Sequence, residues 1–371
     1  MNILIVKTSA IGDVTHTLPV LNALRKHYPG AKITWLVEES AADLVKGHRA
    51  LDRILVSRRK QWAAEMRGGG ACFIKAWREI RDFIRDLRGT RYDLLFDFQG
   101  LLKSAIWVWL ADADRKIGFG RGMEHSECSY IFLNERIAPV PMDTHALRRE
   151  MALLKAVGIE TEEIVFDLPI TERDRAEVEN LLAGHGIDRQ KKLVAINPVA
   201  TWPTKLWFKE RFAEVADRLL ERGCAVVFTG SPADRGEIDR IISSMKGRAV
   251  NLAGKTSLMS LAALYQEAEA VVSTDTGPMH IAAAAGAPLV AIFGSTAPWR
   301  TGPWGEEHLV LRADLDCSPC LKRNCPENSE CMRAISVEQV VAAVNEILGR
   351  DQRVKNGEPQ TFPCGESGWR C

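Results

Sequence analysis

Two short polar turns carry residue types suited to group transfer. Lys7-Thr8-Ser9-Ala10-Ile11-Gly12-Asp13 follows the apolar run 3–6, and Ser273-Thr274-Asp275-Thr276-Gly277-Pro278-Met279-His280 follows the run 270–272. Each leads into a helical pattern. A strand, a tight turn and a helix start gather backbone N–H groups and the positive end of a helix dipole at one spot, where anions bind. Asp13 is a candidate general base for an attacking hydroxyl. An acid at that position also suits a helix start without any chemistry. In the second turn Gly277 permits close approach of a ligand, and Pro278 is tolerated because first-turn N–H groups are unbonded anyway. Asp275, Thr276, Gly277 and, one turn in, His280 are candidates to hold a diphosphate and its sugar, with helix capping as the competing role of Asp275.

Two more strand-to-helix turns have the same character. Residues 197–207 contribute Thr201 and Lys205, the latter a point charge for phosphate. Trp202 offers its face to a base or to packing, whereas Trp207 reads as packing. Residues 229–234 contribute Asp234, a candidate for ribose. Turns of this kind in both halves of the chain imply a ligand held between two domains.

Positioning these turns requires a regular frame. Strand signals fall at 3–6, 33–37, 53–56, 94–98 and 115–118, with helical patterns at 20–28, 41–45, 73–87 and 102–111. A second alternation follows: strands at 193–197, 225–229, 249–252, 270–273 and 289–293, helices at 208–222, 258–266, 279–285 and 337–348. Apolar strands joined by helices indicate α/β architecture with parallel sheets covered on both faces. The expected domains are 1–168 and 169–350, with 351–371 as a tail of weak order. No Gly-x-Gly-x-x-Gly follows the first strand and no Walker A motif occurs, which argues against dehydrogenase and P-loop chemistry. Gly68-Gly69-Gly70 follows no strand and reads as a flexible loop.

The 371 residues are 46% hydrophobic and 26% charged, with a net charge of +1. That is a globular composition without a global field for nucleic acid. Charge is nevertheless uneven: residues 53–91 hold eleven Lys and Arg against four acids, which suits an anionic partner or a solvated helix face. No signal peptide is recognisable, and no run reaches the roughly 18 apolar residues of a membrane span. The expectation is a cytoplasmic protein with at most peripheral membrane contact. Six of nine cysteines follow residue 316, and Cys317, Cys320, Cys325 and Cys331 form C-x2-C-x4-C-x5-C. Zinc, disulfides, reduced thiols and an iron–sulfur cluster all remain open readings of this segment at 317–331.

Taken in order, five segments resemble glycosyltransferase family nine, the heptosyltransferases. They are residues 5–13 with Leu18-Pro19, Trp35-Leu36-Val37-Glu38-Glu39, Asp97-Phe98-Gln99-Gly100-Leu101-Leu102-Lys103-Ser104-Ala105, Lys205-Leu206-Trp207, and residues 273–280. The resemblance covers the chain to about residue 348. It implies a GT-B fold, with two Rossmann-like domains facing across a cleft. It further implies an ADP-heptose donor and inverting transfer to the anionic Kdo/heptose inner core of lipopolysaccharide, at the inner membrane's cytoplasmic face. Asp13 matches the family's catalytic base. Thr201, Lys205, Asp234, Asp275, Thr276, Gly277 and His280 fall to the donor. Lys7, Arg58, Arg59, Lys60 and Lys103 fall to the acceptor. No cofactor is implied, a divalent-metal requirement is left open, and structural zinc at the four cysteines is one expectation. Phe208 stands where the family often has proline. Another nucleotide sugar, or a non-catalytic nucleotide-sugar or glycan-binding protein, remains as an alternative.

Overall fold

The computed structural model describes residues 1–123 and 127–350 and, beyond these, only the two-residue strand Thr361–Phe362. The tail at 351–371, with Cys364 and Cys371, otherwise lies outside the described residues. The chain divides into two compact units, Met1–Pro169 and the remainder from Ile170.

The first unit runs β1 (Asn2–Val6), α1 (Ile11–His27), β2 (Lys32–Glu38), β3 (Arg53–Ser57), α2 (Arg59–Arg67), α3 (Gly70–Arg88), β4 (Tyr92–Asp97), α4 (Leu102–Leu110), β5 (Ala113–Phe119), β6 (Glu135–Ile137), α5 (Ala146–Leu153) and β7 (Ile164–Val165). Six strands form a parallel sheet in the order β3-β2-β1-β4-β5-β6, with Ile5 opposite Trp35 on one side and Phe96 on the other. Ile3, Leu4, Ile5 and Val6 are wholly buried, as expected of a strand covered on both faces. Chain order reverses between β1 and β4. The turns after both strands therefore emerge side by side at the carboxyl edge, where ligands bind in doubly wound sheets.

The second unit repeats the plan: α6 (Glu172–Gly184), β8 (Leu193–Asn197), α7 (Lys209–Glu221), β9 (Ala225–Phe228), α8 (Arg235–Ser243), β10 (Val250–Asn251), α9 (Leu258–Glu267), β11 (Ala270–Thr274), α10 (Gly277–Ala284), β12 (Leu289–Phe293), α11 (Pro298–Thr301), β13 (Leu309–Arg312), α12 (Glu330–Arg333) and α13 (Val337–Gly349). Its parallel order is β10-β9-β8-β11-β12-β13, so the switch point lies between β8 and β11.

Several elements differ from the sequence reading. Helix α1 starts at Ile11, not at residue 20, and runs through Pro19. Proline in a helix interior costs about 3 kcal/mol. Here residues 14–21 are all buried, and that burial outweighs the missing N–H bond. The helix expected at 41–45 is a 3-10 segment, Glu39–Leu44. Helices α2 and α6 bury only Trp62, and only Val178 and Leu182, so their apolar period is too sparse to read. Strands β6 and β13 are sheet edges without one fully buried residue. Gly68-Gly69-Gly70 is the joint between α2 and α3, where Gly69 and Gly70 take φ of +67° and +53°.

Trp207 joins the core of the second unit, and its indole Nε1–H reaches the carbonyls of Met332 and Ile335, each at 3.1 Å. It thereby ties the start of α7 to the segment between α12 and α13. Trp207→Phe is expected to lower stability by about 1–3 kcal/mol, because the indole donor is lost to buried carbonyls. The check is the urea unfolding midpoint, and an unshifted midpoint would contradict this role.

Candidate functional site

In the first unit the switch-point turns are sewn together by one amide. The Oε1 of Gln99 accepts from Thr8 N–H at 3.0 Å, Thr8 Oγ1 at 2.9 Å and Ser9 N–H at 3.0 Å. Asp13, in the first turn of α1, accepts the Ala10 N–H at 2.9 Å through Oδ2 and is partly exposed. The capping role is therefore real, and it fixes the carboxylate at the sheet's carboxyl edge. Lys103, on the first turn of α4, bonds Ser9 Oγ. Half-burial lowers its pKa, and it stands in the field of Glu38, Arg59, Asp13 and Lys60. Arg59 reaches Glu38 at 3.2 Å, Arg58 reaches Glu39 at 3.0 Å, and Lys60 is exposed. Four of the five cations expected to meet an acceptor thus stand at or near the surface.

The fifth, Lys7, does not. Its side chain is buried at 6% exposure, and its Nζ donates to Glu150 Oε1 at 2.5 Å and to the Phe98 carbonyl at 3.0 Å. Unlike the other four, this ammonium is turned inward, toward Glu150 and the Phe98 carbonyl. Burial opposes its charge, but Glu150, Asp13 and Asp97 outweigh that and raise its pKa. Glu150, on α5, also accepts from Thr17 Oγ1 at 2.5 Å. Asp97, at the end of β4 and 2% exposed, accepts the N–H groups of Gln99 and Gly100 on Oδ1, each at 3.1 Å. Its Oδ2 has no partner among the described residues, and burial pushes its pKa from 3.8 to about 6. Sequence reasoning missed Glu150 altogether. It lies 143 positions from Lys7, at a buried position of a short helix where residue type gives no sign of its partner.

In the second unit Lys205 and Asp275 meet at 2.7 Å, and Thr296 Oγ1 donates to the same Asp275 oxygen at 2.6 Å. Asp275 is 4% exposed. Lys205 and Arg323 each lie 4.9 Å from the centre of the Trp202 ring. Thr276 precedes α10 in extended conformation without a side-chain cap, so the first turn beginning at Gly277 keeps donors for a ligand. His280 is buried on that turn, and Thr201 is exposed. Asp234 caps its own turn, accepting Ser231 N–H at 2.8 Å and Ser231 Oγ at 2.5 Å, so any ribose contact would have to share that carboxylate. Thr204, Ser295, Thr296 and Arg323 are additions that only the packed structure reveals.

Cys317, Cys320, Cys325 and Cys331 line one cavity of about 120 Å³ together with Thr204, Ser295 and Glu330. All four are free thiols. No three His, Cys, Asp or Glu side chains among the described residues converge closely enough to hold a metal ion. The expected structural zinc does not fit this arrangement. The segment instead packs by hydrophobic burial of Cys331 and Met332 and by the Trp207 bonds.

Two doubly wound units, each with an anion-type turn at its switch point, form an α/β architecture of the GT-B-like kind. The model of glycosyltransferase family 9 (heptosyltransferase) matches residues 80–330. Lipopolysaccharide heptosyltransferase 1 of Pseudomonas aeruginosa is 32% identical over 340 residues, which cover 88% of this chain and 87% of that protein. The chain belongs to glycosyltransferase family 9. Lipopolysaccharide heptosyltransferase 1 of Escherichia coli is 30% identical over 315 residues, covering 84% of this chain and 94% of its own. The solved E. coli heptosyltransferase WaaC with ADP superposes with a TM-score of 0.75 at 26% identity, over 94% of this chain and 100% of that one. The structure of WaaC with ADP-2-deoxy-2-fluoro heptose gives 0.70 at 27% identity, over 93% and 99%.

The buried Asp97 carboxyl has a consequence for stability. The fold holds its proton to a higher pH than the unfolded chain does. Between about pH 4 and 6 the unfolded chain therefore binds fewer protons, and stability falls as pH rises. The shift from 3.8 to about 6 corresponds to about 3 kcal/mol by neutral pH. Asp97→Asn keeps the Oδ1 acceptor and removes the titration. Its melting temperature is expected to exceed that of the parent at pH 7.5, with the gap closing by pH 4.5. Parallel pH profiles for the two proteins would refute the assignment.

Proposed function

We propose that this glycosyltransferase moves heptose from ADP-L-glycero-D-manno-heptose to the Kdo/heptose inner core of lipopolysaccharide, inverting the anomeric carbon, with Asp13 as general base. The names of its relatives support the reaction class, and the ADP and ADP-heptose analogue in the E. coli structures support the donor. The observation that carries the catalytic assignment is the company of Asp13. It is a partly exposed carboxylate held by its own helix start and lies in the field of Lys103, which itself stands among Glu38, Arg59 and Lys60. That combination suits an acceptor that is anionic and brings a hydroxyl to be deprotonated.

In a single displacement the acceptor hydroxyl gives its proton to Asp13 while its oxygen forms the bond to the anomeric carbon. The bond from that carbon to the β-phosphate oxygen breaks on the opposite face, and the electron pair leaves with ADP. Attack from one face with departure from the other inverts the centre. Lys205 and the first-turn donors of α10 would meet the charge that grows on the diphosphate. Asp275 holds the lysine in place until phosphate competes for it. Thr201, Asp234, Thr276, Gly277 and His280 complete the donor contacts. Arg58, Arg59, Lys60 and Lys103 would pair with acidic groups of the acceptor, at the cytoplasmic face of the inner membrane.

Asp13→Asn preserves an oxygen for the Ala10 N–H and so keeps the cap. With ADP-heptose and a Kdo-terminated acceptor, its rate of ADP release is expected to fall about 100-fold or more while ADP binding stays unchanged. Turnover close to the parent's would overturn the base assignment. Lys205→Ala is expected to weaken ADP binding about tenfold or more, read by calorimetry, as a charge-assisted contact is lost.

A further inference from the structure

The exposed large apolar side chains are not scattered. Eight of the eleven among the described residues fall between positions 66 and 131, on three helices and one short turn of the first unit. This concentration is what separates a functional surface from the ordinary singly exposed apolar residue. Helix α3 shows how it arises. Its stripe Ala76, Ile80, Phe83, Ile84 and Leu87 packs into the core on one face of the sheet. The same helix also carries Phe73, Ile74 and Trp77, the last two 61% and 58% exposed, although Trp77 directly follows buried Ala76. Helix α4 shares that core, with Trp107 against Phe83 at 4.9 Å between ring centres. It turns Leu102, Ile106 and Trp109 outward at helical spacing, and Trp109 is 60% exposed. Ile131, in the segment packed on α4, is exposed as well.

Charge around these side chains selects the partner. Residues 61–91, which exclude Arg58, Arg59 and Lys60, hold seven Lys and Arg against four acids. Arg67, Arg78 and Arg88 are exposed and have no acidic partner among the described residues, while Lys75 reaches Glu65 at 3.0 Å. Tryptophan and isoleucine side chains set among arginines suit the boundary between headgroups and acyl chains of an anionic bilayer. There the rings enter the interface and the cations meet lipid phosphates. No helix among the described residues is long and apolar enough to cross a membrane, so the contact is one that lies on the surface.

We propose that the outer faces of α3 and α4 form a docking surface for an anionic phospholipid bilayer, with Trp77 and Trp109 as its interfacial anchors. Trp77 and Trp109 are not among the residues grouped with Asp13, although Lys103 shares α4 with Trp109. This docking face would hold the enzyme against the surface on which a lipid-borne acceptor lies.

The test is co-sedimentation of the full chain with vesicles of neutral phosphatidylcholine, or with about 30% phosphatidylglycerol added, at low and high salt. Neither donor nor acceptor sugar is present, so the result does not depend on the proposed reaction. Binding is expected only to the anionic vesicles and is expected to weaken with salt. Trp77→Ser with Trp109→Ser, and separately Arg78→Glu with Arg81→Glu, should each lower the partition coefficient about tenfold or more. Unchanged thermal unfolding and ADP affinity would show these variants to be folded. Failure of the parent to bind, or variants that bind as well as the parent, would overturn the proposal. So would a lipid-free dimer that Trp77→Ser dissociates, since the surface would then serve a second copy of the chain.

Discussion

Two opposite charges, Lys7 and Glu150, are buried together beneath the first turn of α1, and the N-terminal unit is arranged so that neither stands alone. Removing one partner of such a pair typically costs about 3–5 kcal/mol, because the other charge is stranded away from water. Lys7 also holds the Phe98 carbonyl, and Glu150 also holds Thr17. One ion pair therefore links β1, α1, the turn after β4 and α5. The position of Asp13 follows from this arrangement, since its turn is pinned from below by Lys7 and from the side by the Gln99 amide. The proposed role of Asp13 as general base requires its carboxylate in one place, and these bonds act together with its own bond to the Ala10 N–H.

Both units meet the same physical problem in the same way. A diphosphate or an acidic sugar needs positive potential at a rigid point, and a parallel sheet supplies it where strand order reverses. In the first unit the potential comes from lysine and arginine side chains around a helix start. In the second it comes from the uncapped start of α10 and from Lys205, which Asp275 and Thr296 keep in register. The difference suits the proposed tasks: a partly exposed carboxylate near a surface group of cations for a hydroxyl nucleophile, and backbone donors with one lysine for a leaving diphosphate.

Of the readings left open for the cysteine segment, the structure favours free thiols over a metal for a geometric reason. Spacing of four thiols within fifteen residues is compatible with a metal, but a metal requires side chains that converge. Here the chain lines a cavity with them and anchors itself through Trp207 and Met332. Likewise Lys7 carried the right charge for the acceptor, and only its surroundings show that the charge is already matched.

The alternation of apolar strands with helices, the four turns and the two-unit division were legible in the sequence, because burial of a parallel strand on both faces leaves a continuous apolar run. The order of motifs was legible too, and it led to the family. Tertiary structure alone decided which charges are paired. Lys7 meets Glu150 across 143 positions and Lys205 meets Asp275 across 70, distances over which no local period carries a signal. It also decided that α1 extends through Pro19, since burial of residues 14–21 overrides a local rule. And it decided which apolar residues of α3 are core and which are surface: Trp77 sits between buried Ala76 and partly buried Ile80 and is exposed, because the direction a side chain faces on the packed helix, not its type, separates packing from exposure.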